Sequence, residues 1–162
     1  MTMGKEITVR GAGGFGLSIA FELLRRGARV RVIETTAIGA GSSGGHVGAL
    51  APHVPENWNP KKQFQLESLL MAGGFWGAVE AVSGLSTGYG RVGRLQPLAN
   101  AEAILLAQAR GAGARALWGD AAVWEIRDVA DFGAFAPPSP TGLVIHDTLS
   151  GRANPRAVGR AL

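Results

Sequence analysis

Three glycines and one acid are the residues best placed to do chemistry in this sequence: Gly11, Gly13 and Gly16 in "RGAGGFG", and Glu34 closing "ARVRVIE". Glycines at that spacing let a chain turn tightly, bring backbone N–H groups close to a pyrophosphate, and pack the next helix hard against the preceding strand. The helix N-terminus adds unpaired N–H groups and a partial positive charge. A carboxylate at the end of the next strand accepts from both hydroxyls of a ribose and repels a 2′-phosphate. The four residues together imply a dinucleotide that carries no 2′-phosphate.

A second glycine cluster, "IGAGSSGGHVGALAPH" (38–53), follows the acid with small residues, the hydroxyls of Ser42 and Ser43, and His46. His53 and His146 have no partners at metal-ligand spacing and read as structural or surface groups. Arg10 stands just before the first glycine, where a small or apolar residue is usual, so its charge must reach solvent, a carboxylate or the phosphates. Trp58, Trp76, Trp118 and Trp124 read as core or interface rather than a stacking platform. The sequence has no cysteine, which excludes disulfides, thiolate nucleophiles and Cys-ligated zinc.

The elements that must position these groups follow from periodicity. Ile7–Val9 predicts a first buried strand leading into the glycine turn. Leu17, Ala20, Phe21 and Leu24 then recur at helical spacing, with Glu22, Arg25 and Arg26 on the other side and Gly27 as the stop. "ARVRVIE" (28–34) alternates like a strand, which makes strand, turn, helix and strand a right-handed βαβ unit with parallel strands. Asn59-Pro60 opens a helix carrying Phe64, Leu66, Leu69, Leu70, Trp76 and Val79, weakened in its middle by Gly73-Gly74. Residues 90–99 have strand character. Residues 100–113 predict a helix capped by Asn100 and stopped at Gly111; 121–126 and 142–148 predict strands; Asn154-Pro155 opens a last helix. Segment 90–98 is expected in a separate, largely antiparallel region.

The chain has 162 residues, 46% hydrophobic and 17% charged, with a net charge of +4, which suits a packed globular domain. No apolar run reaches the roughly 20 residues of a membrane span, and the first residues lack the apolar core of a secretory signal, which points to the cytosol. Arginines fall in scattered pairs (Arg25/Arg26, Arg91/Arg94, Arg152/Arg156) with no long basic run and no nucleic-acid module, so no nucleic-acid partner is expected; a basic surface also suits an anionic cofactor or substrate.

With these motifs the chain resembles the D-amino-acid oxidase and glycine oxidase family of flavoenzymes, in which small residues, a hydroxyl and Gly-x-Leu follow the ribose-binding acid. "ALAPHVPENWNPKKQFQLESLLMA" (49–72) is most similar to the glycine oxidases of thiamine biosynthesis. The resemblance implies an α/β fold: a Rossmann-like FAD-binding βαβ unit with the beginning of an antiparallel substrate-domain insertion, incomplete relative to the family. FAD is the implied cofactor. Gly11, Gly13, Phe15 and Gly16 would lie at its pyrophosphate, Glu34 and Thr35 at its ribose, Ser42 and Ser43 near the pyrophosphate, and His46, Val47, Gly48, Ala49 and Leu50 beside the isoalloxazine. No catalytic side chain is implied, because the hydride passes directly from substrate to flavin.

The resemblance further divides the chain into an FAD-binding region (1–58), a helical excursion (59–83), a partial substrate-domain segment (84–141), and a return strand with the start of a helix (142–162). The implied activity is oxidation of an amine or amino acid, with imine hydrolysis and peroxide formed from molecular oxygen. A sarcosine or D-amino-acid dehydrogenase using another electron acceptor is the alternative, as is an inactive truncated or split nucleotide-binding fragment. On the last reading the chain pairs with a complementing C-terminal half or with itself as a homo-oligomer, has no turnover alone and binds FAD weakly. It also exposes apolar surface that includes Trp118 and Trp124.

Overall fold

The computed structural model describes residues 6–162; Met1–Lys5, which fall in the region read as FAD-binding, lie outside the described residues. The chain forms two compact units, one of Met1–Gly48, Gly74–Tyr89 and Arg152–Leu162, the other of Ala49–Gly73 and Gly90–Gly151.

In the first unit β1 (Glu6–Arg10) and β2 (Arg29–Ile33) pair in parallel, Glu6 opposite Arg29 through Arg10 opposite Ile33, and α1 (Gly14–Arg25) connects them. This is the βαβ arrangement the glycine spacing predicts. Helix α1 buries Leu17, Ala20 and Phe21. Leu24 departs from the expected inward stripe and is 57% exposed. The strand expected to be buried is buried only at Val9. Phe21 meets Phe75 edge-on at 5.8 Å, and Phe75 meets Trp76 at 4.8 Å, beside Val79 and Ala161. The last helix, α4 (Pro155–Ala161), starts on Asn154, whose side-chain oxygen accepts from the N–H groups of Arg156 and Ala157.

In the second unit β4 (Arg94–Pro97), β6 (Leu143–Asp147) and β5 (Trp124–Asp128) form an antiparallel sheet in that order. Segment 90–98 thus contributes a strand, Arg94–Pro97, to an antiparallel sheet, shorter than the strand character of 90–99 suggests. Its core joins Leu66, Leu69, Ala107, Ala114, Trp124 and Ile145. Trp118 and Trp124 are buried there, edge to face at 5.9 Å, so they do not form the exposed apolar surface expected of them. Asp147 is fully buried and paired with Arg94 at 3.1 Å.

Helix α3 (Ala101–Trp118) is capped by Asn100, as its sequence predicts, but does not stop at Gly111. That glycine is there for contact: a Cβ on it would lie 3.3 Å from the Trp124 carbonyl oxygen, and one on Gly113 would lie 3.2 Å from Pro55 Cβ. Helical hydrogen bonding continues through both until Gly119, which has φ +53°. The short strands β3 (Gly48–Leu50) and β7 (Gly151–Ala153) lie where the chain passes from one unit to the other.

Helix α2 (Pro60–Ser83) is unbroken through Gly73-Gly74, with Asn59 accepting from the Lys62 N–H at 3.2 Å. Phe64 and Leu70, which fit its apolar period, are exposed. A Cβ at Gly74 or Gly77 would meet no atom within 4 Å. Each is expected to gain about 0.5–1 kcal/mol on replacement by alanine, since glycine loses more backbone entropy in a helix interior. A Gly74→Ala/Gly77→Ala chain should melt a few degrees higher by circular dichroism; a lower midpoint would refute this.

Candidate functional site

The site begins where β1 ends. Gly11 takes φ +99°, a conformation that disfavours side chains, and its N–H donates to the Ile33 carbonyl at 2.8 Å, tying the turn to β2. The first turn of α1 lies directly on this bend: a Cβ at Gly16 would sit 2.0 Å from the Gly11 carbonyl oxygen. Only a glycine allows that approach. Gly13 is the N-cap, in extended conformation, and offers the helix no side-chain acceptor.

Ser43 fills that role from a distance. Its Oγ accepts from the Gly14 N–H at 2.9 Å. The loop that carries it is held to the turn by the Gly39 N–H donating to the Ala12 carbonyl at 2.9 Å. Gly44 closes the same loop, since a Cβ there would lie 2.4 Å from the Gly39 carbonyl oxygen. The Arg156 guanidinium donates to the Gly44 carbonyl at 3.2 Å. Sequence reasoning missed Ala12, Gly39 and Arg156 as parts of this site. The glycines flanking the serine pair were a usable signal for Gly39; nothing local marks Arg156.

Glu34 reaches back to the turn. Its Oε2 accepts from the Ala12 N–H at 2.9 Å, and its Oε1 from the N–H groups of Thr35 at 2.7 Å and Thr36 at 3.0 Å. The bond from Ala12, followed by those from Thr36 and Thr35, holds its carboxyl below the usual glutamate range. The side chain is therefore an anion at neutral pH and an acceptor only.

The structure brings Gly11, Gly13, Gly16, Glu34, Thr35 and Ser43 into one hydrogen-bonded assembly around the start of α1. Phe15 projects from the same turn and is 92% exposed, while Ser42 is exposed in the loop. His46 is exposed and Val47 is 82% exposed. Among the described residues no hydrogen bond joins either to the glycine turn. Gly48, Ala49 and Leu50 form β3, and a Cβ at Gly48 would lie 2.5 Å from the Ala153 carbonyl oxygen. Arg10 is exposed, in keeping with a charge that must reach solvent. Among the described residues there is no cluster that could hold a metal ion, and no helix is long and apolar enough to cross a membrane.

These residues fit a dinucleotide. The close approach at Gly16 sets the helix start directly on the turn, the first-turn N–H groups, that of Gly14 held by Ser43 Oγ, suit a pyrophosphate, and Glu34 Oε2 retains acceptor capacity for a ribose hydroxyl.

Comparison with known proteins agrees with this geometry. The family model described as FAD dependent oxidoreductase matches residues 6–162. Over 66 residues, 41% of this chain and 9% of the relative, the sequence is 41% identical to the tRNA 5-methylaminomethyl-2-thiouridine biosynthesis bifunctional protein MnmC of Chromohalobacter salexigens. Glycine oxidase from Geobacillus kaustophilus superposes with a TM-score of 0.75 at 18% identity, covering 95% of this chain and 42% of that one. L-amino acid deaminase from Proteus myxofaciens superposes with a TM-score of 0.74 at 19% identity, covering 99% and 36% respectively. The chain thus spans about two fifths of the length of the solved structures it matches. The family match over nearly the whole sequence, on a fold that places three glycines and an ionised acid at a helix start, shows that this chain belongs to the FAD-dependent oxidoreductase family.

Proposed function

We propose that the chain is the nucleotide-binding part of an FAD-dependent oxidoreductase acting on an amine or amino acid, in the manner of a glycine oxidase. The observation that carries this reading is the assembly of the glycine turn, Glu34 and Ser43 at the start of α1. In it, the N–H groups of the first helical turn hold the pyrophosphate and Glu34 accepts from the ribose hydroxyls. Ser42 and Ser43 lie along the pyrophosphate, and the stretch His46–Leu50 runs beside the ring. Bound FAD would supply the chemistry, accepting a hydride from the amine-bearing carbon before the imine hydrolyses and oxygen or another acceptor takes the electrons. Residues 84–141 are read as leading into the substrate-binding part. A complementing C-terminal half or a second copy would supply the remaining contacts.

The substrate class rests on what the relatives' names have in common. Glycine, L-amino acids and a methylaminomethyl group each carry a nitrogen on a saturated carbon. The local identity to the tRNA-modifying protein favours a second reading in which that amine is borne on a nucleoside.

Titration of the chain with FAD, followed by flavin fluorescence, tests the site without requiring turnover. Glu34→Ala should weaken binding about tenfold, as expected for losing hydrogen bonds to a charged acceptor. Equal affinity in the two proteins would remove Glu34 from the ribose.

A further inference from the structure

Arg156 directs its guanidinium at a backbone carbonyl rather than at an acid. Its Nε donates to the Gly44 carbonyl at 3.2 Å, across 112 positions of sequence. Among the described residues no carboxylate forms an ion pair with it. A bond from a long, exposed side chain orders little unless the backbone that carries it is itself fixed.

The start of α4 is fixed. The Asn154 N–H donates to the Thr87 carbonyl at 2.9 Å, and Thr87 is fully buried. Glu80 holds Thr87 in turn, its Oε1 accepting from the Thr87 N–H and from the Thr87 hydroxyl, each at 2.7 Å. Asn154 Oδ1 then accepts from the Arg156 N–H at 3.1 Å, so the backbone of the arginine is set beside an anchored point. Further along α4, a Cβ at Gly159 would lie 3.3 Å from Ile38 Cγ2. The helix therefore lies against both Ile38 and Gly44, the two ends of the segment that carries Ser43.

That segment needs holding. It contains Gly39, Gly41 and Gly44, whose backbone freedom works against any single loop shape, and a serine hydroxyl has three staggered positions to choose from. Ser43 Oγ nevertheless accepts from the Gly14 N–H at 2.9 Å. The Gly39 N–H ties the near side of the segment to the Ala12 carbonyl, and Arg156 ties the side next to Ser43.

We propose that Arg156 is a positioning residue for the cofactor: by holding the Gly44 carbonyl it sets the Ser43 hydroxyl at the start of α1. Its part in cofactor binding rests on the proposed function, whereas the link from Arg156 to Ser43 is a property of the free chain.

Amide hydrogen exchange of the isotope-labelled full chain without FAD, followed residue by residue by NMR, tests the link. Arg156→Gln should raise exchange at the Gly14 N–H about fivefold, the order expected for one hydrogen bond. The N–H groups of Gly11 and Ala12, held by the Ile33 carbonyl and by Glu34, should exchange as in the parent. Arg156→Lys, which keeps a donor, should fall between parent and Arg156→Gln. Ser43→Ala should raise Gly14 exchange by itself, and adding Arg156→Gln to it should change nothing further. Arg160→Gln, which removes a charge from the same helix, should exchange as the parent does. Flavin fluorescence then reads the consequence: Arg156→Gln should weaken FAD binding about fivefold, and not at all where Ser43 is already replaced by alanine. Unchanged Gly14 exchange in Arg156→Gln overturns the proposal, as does a rise shared by Gly11 and Ala12, which would mark a general loosening of the fold. An equal rise in Arg160→Gln, or a loss of FAD affinity that persists in the Ser43→Ala background, overturns it as well. Selective loss of Gly14 protection in a chain that binds no FAD would support the link from Arg156 to Ser43 and overturn the proposed function instead.

Discussion

Replacing Gly16 by alanine is expected to cost about 3 kcal/mol or more, a large fraction of the 5–15 kcal/mol typical of a whole domain. The added Cβ would lie 2.0 Å from the Gly11 carbonyl oxygen and 3.1 Å from its carbon, and both are backbone atoms that no rotamer change can move. To relieve the clash, α1 must lift away from the turn. That lift disturbs the packing of Leu17, Ala20 and Phe21. Gly13→Ala is the useful contrast, because its Cβ would meet only the Ser43 side chain, Oγ at 3.3 Å and Cβ at 4.0 Å, which can give way at the cost of its bond to the Gly14 N–H. Urea denaturation followed by circular dichroism should show a much lower midpoint for Gly16→Ala than for Gly13→Ala. Similar midpoints would mean that the helix does not rest on the turn as described.

Asp147 is the second position where one substitution should cost heavily. Its carboxylate is fully buried, with Oδ2 accepting from Arg94 Nε at 3.1 Å and Oδ1 accepting from the Ser150 N–H at 2.8 Å. Asp147→Ala leaves the Arg94 charge unpaired and an interior N–H without its acceptor. Removing one partner of a buried pair costs about 3–5 kcal/mol. The Arg94 side chain is 35% exposed and can turn to water, so the lower end of that range is expected. Asp147→Asn keeps an oxygen for Ser150 and should lose less. Trp118 and Trp124 report on the same core, so tryptophan fluorescence during denaturation follows the relevant unit. An Asp147→Ala chain that unfolds at the parent's midpoint would sink the argument.

How much of this was legible in the sequence depends on how local each cause is. The β1–α1–β2 unit could be read because the glycines of the turn and the alternation of "RVRVI" lie within one stretch of chain. The helix starts at Asn59, Asn100 and Asn154 could be read for the same reason, since a cap and its N–H partners lie within three residues. Gly111 was misjudged because what it permits, the approach of the Trp124 carbonyl, is decided by a residue in another element. Ser43 could be named as a hydroxyl near the turn. Its bond to Gly14 spans 29 positions, so no sequence window could have assigned it as the missing cap. The exposure of Leu24 and Phe64 has the same origin, because periodicity shows which residues share a face and not whether anything covers that face.

The bond between Ser43 and the Gly14 N–H has a consequence for exchange. An anion arriving at the start of α1 finds its leading donor already satisfied, so it must take that proton over from a hydroxyl rather than from water. The affinity gained is the difference between two good acceptors, smaller than a bare helix terminus would give. The serine released in the same event is free to turn its own O–H toward the newcomer and donate. On the proposed function, one side chain would serve as a placeholder before arrival and as a ligand afterwards. The other tie of the loop from Gly39 to Gly44, the Gly39 N–H to the Ala12 carbonyl, does not involve Ser43 and would hold the loop through such a swap.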